Sequence, residues 1–74
     1  MTITKEEMYE TRFNLAHQMH DYIMNLGDEE AYETWITYAI PDEPDEEDFE
    51  YYAENKLQFK SLCLIFGDLV AKYR

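Results

Sequence analysis

The sequence predicts an all-α protein, a small three-helix bundle with helices near residues 5–26, 29–40 and 46–73 and an acidic, proline-containing connector. Large apolar residues recur at helical spacing, N-cap signals open each segment, and Gly27, Pro41 and Pro44 fall between them. With 74 residues the chain is a single acidic helical domain, 1–74, small enough that most large side chains must be committed to one core. Twelve aromatics, namely seven Tyr, four Phe and Trp35, make that core feasible, since each buried ring removes roughly 150–250 Å² from water.

The first helix starts at Thr4-Lys5-Glu6-Glu7, where a capping threonine is followed three residues later by glutamate, a pattern that satisfies orphan backbone donors. Met8, Leu15, Met19, Tyr22 and Leu26, with Ala16 and Ile23 alongside, give it a one-sided stripe, and Gly27 supplies a left-handed C′ residue that ends it. Asp28 caps the second helix, whose first-turn Glu29 and Glu30 suit the helix dipole. Tyr32, Trp35, Ile36 and Ala39 form its buried face up to Pro41, and Trp35 is expected in the core. Asp45, with Asp48 three residues on, caps the third helix, which no proline interrupts from Phe49 onward. Tyr52, three residues after Phe49, reads as core, and Tyr51 as exposed. The second half of this helix is apolar around most of its circumference, so either it lies at the centre of the bundle or a second copy of the chain covers one face.

Charge is the most distinctive property. Seventeen acidic residues against six basic ones leave a formal charge of −11, which excludes direct nucleic-acid binding as a default. No Lys or Arg occurs from Phe13 to Asn55, a stretch that holds thirteen acids. Asp28, Glu29, Glu30 and Glu33 open helix two, and Asp42, Glu43, Asp45, Glu46, Glu47, Asp48, Glu50 and Glu54 run from the connector into helix three. Seven acids in the nine positions 42–50 exceed what capping uses, and like charges at i, i+4 each cost a few tenths of a kcal/mol. These residues, with Tyr51 among them, are the predicted partner-binding surface.

Other chemistries are poorly served. His17, His20 and Asp21 are too few ligands for a zinc site, and both histidines read as helix-surface residues. The connector fails the calcium-loop pattern, because no glycine stands sixth from Asp42 and Ala53 stands twelfth. Only two glycines and one serine, Ser61, are present, so neither a phosphate loop nor a serine triad can be built, and the acids lie in exposed runs rather than in a cleft. No catalytic residue, cofactor or metal is expected. The lone Cys63, between Leu62 and Leu64, reads as a buried small hydrophobe. The longest apolar run, Leu62 to Phe66, is far short of the roughly 20 residues that cross a bilayer, so a cytoplasmic location is expected.

What remains is a binding protein. The expected partner is a basic protein, above all a nucleic-acid-binding enzyme whose cleft an array of carboxylates could occupy by mimicking nucleic acid. In style of composition, though in no motif, the chain resembles small proteins of viruses and mobile elements that disarm host restriction, CRISPR or repair enzymes. The alternatives are a neutralising or scaffolding protein for a basic surface unrelated to nucleic acid, steered by the same field, and a homodimeric helical module joined through helix three.

Overall fold

A computed structural model describes residues 2–74 and contains four helices with no strand among those residues. Helix α1 (Lys5–Asn25) opens at Thr4, whose Oγ1 accepts from the Glu7 amide at 3.1 Å. Its 21 residues are about 31 Å long at 1.5 Å per residue, against a longest molecular dimension of 38 Å. Gly27 follows at φ +70, the left-handed backbone that stops the helix.

Helix α2 (Glu29–Tyr38) is capped by Asp28, which accepts from the Ala31 amide at 3.0 Å. It ends two residues short of the predicted 40. The amides of Ala39 and Ile40 both return to the Trp35 carbonyl, at 2.8 and 3.1 Å, because a residue preceding proline is pushed out of helical backbone. Ile40 instead turns inward and is fully buried.

The predicted third helix is two helices, α3 (Glu46–Glu54) and α4 (Lys56–Tyr73), which corrects the three-helix count. The break is Asn55, with extended backbone at φ −93, ψ 102. Its amide donates to the Tyr51 carbonyl at 3.0 Å, ending α3, while its side chain accepts from the Gln58 amide at 3.2 Å, starting α4. Asparagine does this readily because its short amide competes with helical backbone bonding and favours caps.

Helices α1 and α4 each pack against all three others, the α1 and α3 pair most extensively, whereas α2 and α3 do not pack along each other. Both run against the direction of α1. Helix α3 follows its first half, with Phe49 against Phe13, His17 and His20, and the Arg12 guanidinium donating to the Ala53 carbonyl at 3.0 Å. Helix α2 follows its second half, and α4 returns along α2, placing Phe66 against both Trp35 and Tyr22. The core collects Ala16, Met19, Ile23, Ala31, Trp35, Ile40, Phe49, Leu62 and Leu69.

Four expectations change. The buried stripe of α1 is Ala16, Met19, His20 and Ile23, while Met8, Leu15 and Tyr22 are left substantially exposed. His20 is a core residue, because Trp35 offers it a hydrogen bond at 3.2 Å, and His17 stacks on Phe49 with ring centroids 3.7 Å apart. Cys63 is exposed, since α4 turns Leu62 inward and neighbouring positions point about 100° apart. Finally, α4 is not the wrapped centre of the bundle: Leu57 and Leu64 stand on its outside.

Candidate functional site

The acids predicted to form one surface occupy two places. Asp28, Glu29, Glu30 and Glu33 sit at the start of α2, beside the end of α1; Asp28 and Glu29 share an open hollow there with Ile23, Met24, Gly27 and Tyr32. Glu50 and Glu54 lie along the opposite half of α1. From the level of Tyr9 to that of Ile23 is about 21 Å along the α1 axis. The α2 acids and the Glu50 and Glu54 pair are therefore at opposite ends of α1, with Asp42 between them near His20.

Several of these carboxylates have structural duties. Asp28 caps α2, and Asp45 and Asp48 cap α3 reciprocally: Asp45 accepts from the Asp48 amide at 3.1 Å and Asp48 from the Asp45 amide at 3.0 Å. Glu30 accepts from the Lys72 ammonium at 2.8 Å, the one ion pair among the described residues. That bond, more than the nearby Tyr73, holds the Lys72 pKa above its usual value.

Glu29, Glu33, Asp42, Glu43, Glu46, Glu47, Glu50 and Glu54 are left exposed and, among the described residues, without a paired cation. The densest part is on α3. Glu46, Glu50 and Glu54 repeat every fourth residue, about 6 Å apart along the helix, and so share one face. That face looks onto the first half of α1. Tyr9 titrates above its ordinary value, first through desolvation and then through Glu50, Glu54 and Glu46.

The antiparallel course of α3 on α1 also recruits residues that sequence reasoning left out. Tyr9 and Glu10 join Phe13, Asn14 and Glu50 around one hollow, so the acidic face extends onto α1. The signal available in the sequence was the pair Tyr9 and Phe13 at i, i+4, an aromatic ledge beside Glu6 and Glu10. Tyr51 is 51% exposed, as the sequence predicts, and at the far end of α2 Tyr38 is 73% exposed. Tyr52 turns inward, its hydroxyl donating to the Ala39 carbonyl. Burial, then Asp48 and Tyr51, raises its pKa.

Among the described residues no three His, Cys, Asp or Glu side chains gather to hold a metal ion, and no helix is long and apolar enough to cross a membrane. No protein-family model, curated protein or solved structure matches the chain. The chemistry of the site therefore has to be read from its own residues: a rigid, regularly spaced set of carboxylates with aromatic rings at its edges.

Proposed function

We propose that the protein acts by binding rather than catalysis, presenting the α3 carboxylates to a basic partner in the cytoplasm and blocking it. The preferred partner is a nucleic-acid-binding enzyme, and the protein stands in for nucleic acid in its cleft. The observation that carries this is the ladder of Glu46, Glu50 and Glu54, exposed and without paired cations among the described residues. Its repeat of about 6 Å is close to two phosphate steps of one DNA strand, at about 3.4 Å per step. A helix anchored at both ends holds these charges in place, so little ordering entropy is lost on binding.

The field is costly to the chain itself. Glu46 to Glu50 and Glu50 to Glu54 are like-charge pairs at i, i+4, each destabilising by a few tenths of a kcal/mol. Caps account for Asp45 and Asp48, and the helix dipole favours Glu46 in the first turn, but neither accounts for Glu50 and Glu54. The exposed rings of Tyr51 and Tyr38 support a second reading, in which the same field steers association with a basic protein surface unrelated to nucleic acid and the tyrosines anchor it.

The test is retention of binding proteins from a host lysate at low and high salt, with and without excess duplex DNA, by wild type and by E46K/E47K/E50K/E54K. That variant leaves the Asp45 and Asp48 cap intact. Blocking by mimicry requires a nucleic-acid enzyme that DNA displaces and that the variant fails to retain. A partner lost from the variant but indifferent to DNA selects the second reading, and a variant that retains everything the wild type does removes both.

A further inference from the structure

Helix α4 is the opposite of α3 in charge. Lys56, Lys60, Lys72 and Arg74 stand against the single carboxylate Asp68, in a chain whose net charge is −11. Its inner face, with Leu62 and Leu69 fully buried, faces the bundle. Its outer face is apolar at the centre: Leu57 is 79% exposed and Leu64 62%. Leu57, Leu64 and Ala71 recur every seventh residue and so fall nearly on one line. Exposed Lys60 and Gly67 flank that line on one side, and exposed Ser61 and Asp68 on the other.

We infer that a second copy of the chain covers this face, as an antiparallel α4–α4 pair with its two-fold axis at Leu64. The face is self-complementary in that register and only in an antiparallel one. A two-fold at Leu64 sets each residue opposite the one equally far on the other side of it. Leu64 meets Leu64, and Leu57 meets the small Ala71. Ser61 and Gly67, also small, come level and allow close approach. Lys60 comes level with Asp68 of the second copy, and the symmetry makes that ion pair twice. Lys56 comes level with Lys72, whose charge Glu30 already pairs. A two-fold interface requires this kind of self-matching.

Electrostatics points to the same face. Two bodies of charge −11 repel, and pairing through α4 keeps the acidic runs of α2 and α3 away from the contact, while Lys60 and Asp68 supply the opposite charges within it. The stretch from Leu57 to Ala71 is about 21 Å long, so the interface belongs to the small, reversible class. Added salt screens the overall repulsion and tightens this pair, whereas it loosens a partner held on the α3 ladder.

Sedimentation equilibrium over a concentration series, with reductant present because exposed Cys63 can cross-link, tests the pairing. The weight-average mass should climb toward twice that of one chain, more steeply at high salt, and L64D should hold it at one chain. K60D and D68K should each weaken association, and K60D/D68K, with the wild-type net charge, should restore it. D68K is the sharpest arm, because it lowers the net charge and would strengthen any association limited only by overall repulsion. All these positions are exposed, so far-UV circular dichroism should match wild type. A chain that stays single at every concentration, a D68K variant that associates more tightly, or a double variant as weak as either single one overturns the inference. None of these substitutions touches the α3 ladder.

Discussion

The indole N–H of Trp35 donates to Nδ1 of His20 at 3.2 Å, in the buried layer between α1 and α2. An accepting Nδ1 carries no proton, so His20 sits in the core as a neutral imidazole with its hydrogen on Nε2. Protonation would put a second hydrogen where the indole already points. Burial holds the His20 pKa below 6.5, opposed by Asp21 and Asp42 and reinforced by His17.

A pH dependence follows, with a definite sign. The unfolded chain takes up the His20 proton near 6.5, before the folded chain does, so lowering the pH favours unfolding. The stabilising contribution of His20 is fully present above that value and is lost as pH falls through it toward the lower folded pKa. Urea midpoints measured from pH 8 to pH 5 should decline in the acid half for wild type and decline less for H20Q.

Replacing Trp35 by phenylalanine keeps most of the packing and deletes the donor. Leaving Nδ1 buried without a partner should cost about 1–3 kcal/mol, read as a lower urea midpoint. The folded His20 pKa should also rise, because the bond that favoured the neutral ring is gone. W35F should therefore show a higher His20 pKa than wild type by histidine NMR titration, and a smaller decline of its urea midpoint in acid.

Asn55 has one side-chain acceptor serving the first turn of α4. N55A should lose about 1 kcal/mol, the ordinary cost of a missing N-cap, whereas N55D should stay close to wild type because aspartate caps as well. Thermal melts of the three proteins give the order directly.

The hydroxyl of Tyr73 is buried and, among the described residues, has no hydrogen-bond partner. Y73F removes that unsatisfied group while keeping the ring, so stability should be unchanged or higher by up to about 1 kcal/mol. A clear fall in melting temperature would mean that the hydroxyl is bonded in solution.

Much of the architecture was legible from end signals. Thr4, Gly27, Asp28, Pro41 and the Asp45 and Asp48 pair act locally, through backbone bonds a few residues away, and each marks an end where the structure has one to within two residues. Asn55 is also a local signal, with Gln58 three residues on, but it was hidden inside an unbroken helical composition. Which face of α1 turns inward was not legible. Met8, Leu15 and Tyr22 are as apolar as Ala16, Met19 and Ile23, and the choice between the two lines depends on Phe49 and Trp35 arriving from elsewhere in the chain. His20 was misread for the same reason: a histidine becomes a core residue only when a distant donor meets it. The acids of the candidate site were all visible in the sequence, but their division between the two ends of α1, and the recruitment of Tyr9 and Glu10, depend on the antiparallel course of α3.

Helices α2 and α3 do not pack along each other, yet they are joined at the core: Tyr52 of α3 donates its hydroxyl to the Ala39 carbonyl at the end of α2, and Phe49 packs on the His20 that accepts from Trp35. Helix α3 has nine residues, too few to persist alone, and it buries only Phe49 and Ala53. Phe49 is thus the main anchor of the ladder: F49A should speed deuterium exchange of the α3 amides and weaken partner binding together, so that a substitution carrying no charge of its own would imitate the loss of the carboxylates.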